Sequence, residues 1–366
     1  MANPSLPHTL CVGTRKGLFV VHRTDTGWHL GKPQFPGEPV SQLLMNPHDG
    51  AWYVALRLGH FGVKLWKCAD SGGHWQEIAA PAFPPKPADG PWKDDPTPWS
   101  VDLLWSLEAG PGILWAGCMP AGLFSSTDGG TSWQLQEGLW NRPERKDWLG
   151  GGYDHHGIHT IMLDPRDAKH LTVAISSGGV WQSHDGGASW RNTSEGLEAD
   201  YMPPERRSDP NIQDVHRLDQ CMAQPDVLWC QHHCRMYRST NGGQKWDAIA
   251  APQPSGFGFS VAADPFDASR AWFVPAHSDA QRIPVAGRMV VNETRDGGSS
   301  FASHGEGLPQ SDAYHLVYRH GLVVSRDGKT LALGSTTGGL WVSEDAGQSW
   351  LCLSRDLPPI AVLRLD

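Results

Sequence analysis

The sequence predicts an all-β fold, a seven-bladed β-propeller occupying residues 1–366 as a single domain, and three observations carry that prediction. An eight-residue pattern of Ser or Thr, Asp, paired Gly and a closing aromatic recurs every 49 to 58 residues along nearly the whole chain, and a period of that size marks a repeat architecture. Before each copy lie short apolar runs punctuated by Pro and Gly, which read as strands and turns. The two ends complement each other, because the first repeat lacks an opening strand and the last segment is a strand with no repeat of its own.

The octets come first because they set the period. The clearest copies run Ser126–Trp133, Ser183–Trp190, Ser239–Trp246, Thr294–Phe301 and Ser343–Trp350, with a weaker one at Cys68–Trp75 and a shortened one at Arg23–Trp28. In each, the Asp side chain can accept hydrogen bonds from the amides that follow it and so close a tight turn. The glycines supply backbone angles that a side chain would forbid. The closing Trp is a large apolar anchor for the strand that follows. Such a turn is scaffold and not site.

Each repeat then reads as four strands. In the fourth, Ile158–Leu163 turns at Asp164-Pro165, Leu171–Ser176 and Gly179–Ser183 follow, and Trp190 opens the last strand. The same pattern runs through Gln42–Leu56, Asp102–Ala116, His216–Gln231, Phe259–Val274 and Tyr314–Leu333. The N-terminal unit, Thr9–Trp28, starts at its second strand, so Ile360–Leu365 supplies the missing inner one. The C-terminal strand thereby completes blade one and closes the ring, which removes exposed sheet edges. Three connections between blades are long: Pro81–Ser100, Gly138–Gly157 and Leu197–His216. They carry Trp92, Trp99, Trp140, Trp148, Tyr153 and Tyr201, and long loops of this kind are usually functional. By strand alternation they share a face opposite the octets.

Composition narrows the function classes. A formal charge of −9 without any basic run argues against a nucleic-acid partner. Seven irregularly spaced cysteines fit reduced thiols and a cytoplasmic location better than a disulfide framework. Met1–Lys16 lacks the pattern of a leader peptide, and no apolar run reaches the ~18 residues of a membrane helix. The expected partner is a small-molecule or carbohydrate substrate; the sequence does not fix an oligomeric state.

The 18 histidines supply the chemistry to look for. His159 and His216 occupy one register at the start of their blades' first strands, and Asp102 holds that position in blade three. His232 and His233 end the second strand of blade five, His277 that of blade six, and Tyr314-His315 opens blade seven. Starts of first strands and ends of second strands meet on one rim beside the central channel. Imidazole is the commonest metal ligand and acid–base group near neutral pH, so His159, His216, His232, His233 and His277 form a candidate divalent-metal set. A water-filled channel lined with hydrogen-bonded polar groups is the alternative.

The octets resemble the Asp-box, or BNR, repeat of sialidases and of many other propellers. That resemblance implies a propeller and, for the sialidase branch, exo-α-sialidase-like glycoside hydrolysis on the channel face opposite the boxes. Such chemistry needs paired carboxylates or a Tyr nucleophile, with Arg to hold an acidic sugar. On that face stand Asp102, Asp154, Asp214, Asp279, Tyr153, Tyr201 and Tyr314, with Arg57, Arg235 and Arg282. Arg282-Ile283-Pro284 looks like the sialidase Arg-Ile-Pro, yet it falls in blade six and not ahead of the first box. The set expected to act is His159, His216, Asp102, Asp154, Tyr314 and Arg282. Two other readings stand beside it: a metal-dependent enzyme of lyase type using the histidines, and a non-catalytic protein-interaction scaffold of the sortilin or photosystem-assembly kind.

Overall fold

A computed structural model describes residues 8–366; residues 1–7, part of the stretch read for a leader, lie outside it. The fold is a seven-bladed β-propeller of seven four-stranded antiparallel sheets. Blade one pairs Ile360–Leu365 with Thr9–Thr14, followed by Gly17–Thr24 and Gly27–Leu30, so the C-terminal strand is its innermost as the sequence predicts. Leu10 faces Leu365 and Thr14 faces Ile360 across that pair. No helix among the described residues is long and apolar enough to cross a membrane.

Blades two, three and four form one compact unit, and blades one, five, six and seven form another. In the first, Leu104, Leu107, Ala116 and Phe124 of blade three pack against Tyr53, Ala55 and Leu65 of blade two. Trp115 then meets Ile161, Val173 and Trp181 of blade four. In the second unit Trp272 and Val291 of blade six pack on Leu331, Leu333 and Trp341 of blade seven. Trp229 of blade five meets Val261 and Phe273 of blade six. Trp115, Trp181, Trp229, Trp272 and Trp341 are all fully buried. Truncating any one to Ala would cost about 3–5 kcal/mol through lost transfer energy and the cavity left behind.

The octets form the turns expected of them. Ser126 Oγ accepts from the Gly130 amide at 2.9 Å and donates to Asp128 at 2.7 Å, while Asp128 accepts from the Ser132 amide at 2.9 Å. Asp185, Asp296, Asp345 and Asn241 repeat the amide contact within their own copies. The hydroxyl and amide of Ser189, with Ser183, hold the Asp185 carboxyl down at about 2. Gly129 and Gly130 take φ of 70° and 90°, a conformation that a β-carbon would strain.

Two of the three long connections prove to be locked and not open. Asp95 and Arg145 form an ion pair at 2.8 Å with both side chains almost wholly buried. The guanidinium lies over Trp92 at 4.0 Å and Trp140 at 3.8 Å, and its Nε donates to the Trp140 carbonyl at 2.7 Å. Trp99 donates to Asp95 at 3.1 Å. The aromatics of these segments therefore pack the loops against each other, and Trp92, Trp140 and Trp148 are buried.

Candidate metal centre

The candidate site grows from blade five. Its first strand is Val215–Gln220, and Asp214 immediately precedes it. Residues two apart on extended chain share a face, so Asp214 and His216 project the same way. His233 follows directly on the strand Leu228–His232, in the turn that leads to Met236–Ser239. The octet Ser239–Trp246 lies beyond Met236–Ser239, at the opposite end of the blade. Ligand atoms of Asp214, His216 and His233 all lie within 4.8 Å of one another, and among the described residues this is the one group of three or more His, Cys, Asp or Glu so placed.

His216 is oriented from behind. Its Nδ1 lies 2.7 Å from the Gly258 carbonyl; a carbonyl only accepts, so Nδ1 carries the hydrogen and the ring's lone pair sits on Nε2. The ring stacks on Phe259 at 4.4 Å and 12° and meets His233 edge-on at 5.3 Å. His233 is half-buried, with Tyr201 at 5.2 Å and Phe257 at 5.7 Å, both edge-on. Tyr201 is held there by its loop: Arg235 binds Asp200 at 2.8 Å and Glu198 at 2.9 Å, and the Glu198 amide donates to Tyr237 at 3.1 Å. Here the third long connection does approach the site.

A second aromatic contact brings charge near. Phe259, the ring under His216, has the Arg282 guanidinium at 5.4 Å and that of Arg319 at 5.8 Å, with Tyr318 edge-on at 5.0 Å. Arg282 donates to Asp279 through Nε at 3.0 Å and Nη2 at 2.5 Å. Burial would lower its pKa, but the bonds to Tyr318 and Asp279 raise it, so the cation is secure.

The other expected residues fall elsewhere. His159 is fully buried with Nε2 on the Val215 carbonyl at 2.8 Å and Nδ1 on Thr160 Oγ1 at 2.9 Å. Both nitrogens are engaged within the protein, and His159 lies outside the group of Asp214, His216 and His233. Its bond belongs to a recurring device in which a first-strand side chain ties to a backbone carbonyl of the next blade. Gln42 reaches Trp105 at 2.9 Å and Ser106 reaches Ile158 at 2.9 Å in the same manner. His232 is buried, accepts from the Cys234 amide at 3.2 Å and packs on Tyr237. His277 is exposed beside Ser278 at 3.3 Å. Neither joins a three-residue group.

Asp102 pairs with Arg57 at 2.6 Å, and Asp154 is exposed. Tyr314 does not open a strand: the first strand of blade seven is only Leu322–Val324, after a turn in which the Gly321 amide bonds the Tyr318 carbonyl. Tyr314 lies exposed ahead of it. No disulfide joins the seven cysteines, and burial pushes the Cys230 thiol far up, so it stays protonated. Sequence reasoning passed over Phe257, Phe259 and Tyr318; the one available signal was the Phe257-Gly258-Phe259 triplet directly opening blade six.

No protein-family model matches the chain, and no curated protein matches it. Solved structures do resemble it. An ancestral GH74 enzyme superposes with a TM-score of 0.59 at 15% identity, over 99% of this chain and 40% of that one. YCF48 bound to a D1 peptide gives 0.53 at 14% identity, over 93% and 88%. A chain of the Mitotic Checkpoint Complex gives 0.54 at 11%, over 92% and 83%. This chain thus spans 40% of the length of the GH74 enzyme. At these identities the likeness is one of propeller fold.

Proposed function

We propose that Asp214, His216 and His233 bind a divalent transition metal and that the chain is a metal-dependent enzyme acting on a small oxygen-rich substrate. The observation that carries this reading is the convergence of one carboxylate and two imidazoles within 4.8 Å. Two histidines and one carboxylate suit Fe(II), Mn(II) or Zn(II) and leave coordination positions for substrate. Bond lengths of about 2.0–2.2 Å need donors roughly 3–4 Å apart, within reach of small side-chain rotations. The Gly258 carbonyl is the same tie to the next blade that Gln42, Ser106 and His159 make, and at His216 it also fixes the ring as a ligating imidazole is fixed. The metal would act as a Lewis acid on a substrate oxygen, with Tyr201 and Phe257 excluding water from one side.

The metal reading is favoured over glycoside hydrolysis by two carboxylates, because Asp102 is matched by Arg57 and Asp154 stands in solvent. Purified protein is reconstituted with Mn(II), Fe(II) or Zn(II), desalted, and its metal content measured by mass spectrometry. About one equivalent per chain is expected in the wild type, falling at least tenfold in His216→Ala and His233→Ala while circular dichroism is unchanged. Equal uptake by wild type and both variants would refute the site.

A further inference from the structure

Resting on that metal reading, we propose that the site selects anionic substrates and that Arg282 is the residue that holds the anion, so the substrate is a small hydroxylated carboxylate. One aromatic ring is the common neighbour of the metal ligand and the cation: Phe259 stacks on His216 at 4.4 Å and lies under Arg282 at 5.4 Å. A molecule held at the metal through its hydroxyl oxygens reaches the guanidinium by extending past Phe259, which takes a chain of several carbons. Arg282 remains about one-third exposed while Asp279 fixes its geometry, so it is both accessible and preorganised.

The balance of charge points the same way. Facing this ring are the cations Arg282 and Arg319 and, through His216, the metal. Against them stand the carboxylates of Asp214 and Asp279. Arg235 on the neighbouring turn faces two carboxylates, Glu198 and Asp200, which leaves one negative charge over on that side. With a divalent ion bound, positive charge is in surplus around Phe259, and a partly desolvated surplus of that kind draws an anion. Beyond its bonds to Asp279 and Tyr318, the guanidinium has further N–H donors, and these bond a carboxylate more strongly than a hydroxyl. Tyr201 and Phe257 offer ring surfaces for the carbon skeleton.

The test uses a matched pair of probes, gluconate and sorbitol, which differ in a carboxylate against a hydroxymethyl group. Metal-loaded protein is titrated with each by calorimetry, and metal content is measured before and after. Gluconate is expected to bind at least tenfold tighter than sorbitol. Arg282→Met should abolish that difference with metal content unchanged, and Arg282→Lys should restore part of it. Equal binding of both probes by metal-loaded wild type, or undiminished gluconate binding by Arg282→Met, would overturn the proposal while leaving the metal site standing. Absence of metal from the reconstituted wild type would overturn both.

Discussion

Replacing Asp95 by Asn tests whether the two long connections of blades two to four are held by a buried charge pair. The Arg145 side chain has no exposure, and its guanidinium depends on Asp95 at 2.8 Å, two indole faces and one carbonyl. Asn keeps the shape but leaves the cation buried without a counter-charge, which costs about 3–5 kcal/mol. The indole faces of Trp92 and Trp140 soften that, since desolvated cation–π contacts reach about 2 kcal/mol; the lower end, about 3 kcal/mol, is expected. Urea unfolding followed by tryptophan emission measures it. The double variant Asp95→Leu/Arg145→Met removes both charges and should recover most of the loss. Burial alone would raise the Asp95 pKa, but the Thr97 amide, Arg145 and Trp99 outweigh it and hold it low. Its stabilisation is therefore complete above the ordinary carboxyl value of about 4 and disappears as pH falls through the lower folded value, so wild type should lose stability on acidification more steeply than Asp95→Asn. A single variant within about 0.5 kcal/mol of wild type, the usual range of neutral surface changes, or no recovery in the double variant, would refute the reasoning.

Three further outcomes follow from the structure. Burial, then the charge of Arg145, press the His156 pKa down to about 3, and its Nδ1 accepts from the Ala121 amide at 3.2 Å. The unfolded chain therefore binds the proton first, stability falls as pH drops from 6.5 towards 3, and His156→Gln should flatten that slope in acid titrations followed by circular dichroism. Ser183→Ala leaves the buried Gly187 amide without its 2.8 Å acceptor and should cost about 1–2 kcal/mol in urea unfolding, whereas metal uptake should match wild type; a loss of uptake in folded protein would show that the octets are more than scaffold. Deleting residues 360–366 strips the inner strand from blade one and exposes an edge, so a melting temperature within a degree or two of the intact chain would contradict its role.

The octets made the fold legible because their chemistry is local: an Asp and the amide four residues later read the same in sequence and in space. The closing role of Ile360–Leu365 was legible for a related reason, since a strand without a blade and a blade without a strand imply each other. The histidines were harder. Register placed His159 and His216 alike, and in the structure both do bind backbone carbonyls. What separates them is their neighbours, a Thr hydroxyl for His159 and a second imidazole for His216, which counting along strands cannot supply. Tyr314 was misplaced because the bend at Gly321 shortens the strand. Arg145 was invisible for a different reason: nothing in a sequence tells a solvated Arg in a loop from one enclosed between Trp92 and Trp140.

The pairing of Thr9–Thr14 with Ile360–Leu365 has a mechanical consequence. Because the two strands are antiparallel, His8 and Asp366 lie side by side, joined by the 2.8 Å bond from the His8 amide to the Asp366 carboxylate. A load applied between these two residues does not shear the strands past one another. It peels them apart from Leu10 and Leu365 towards Thr14 and Ile360, so each rung carries the whole force in turn. A single backbone hydrogen bond contributes only about 1 kcal/mol, and rungs loaded singly give way at far lower force than rungs loaded together. Pulled at residues 8 and 366, blade one should open like a zip at low force. Pulled across the sheet at residues 14 and 365, the same strands are loaded in shear and should hold.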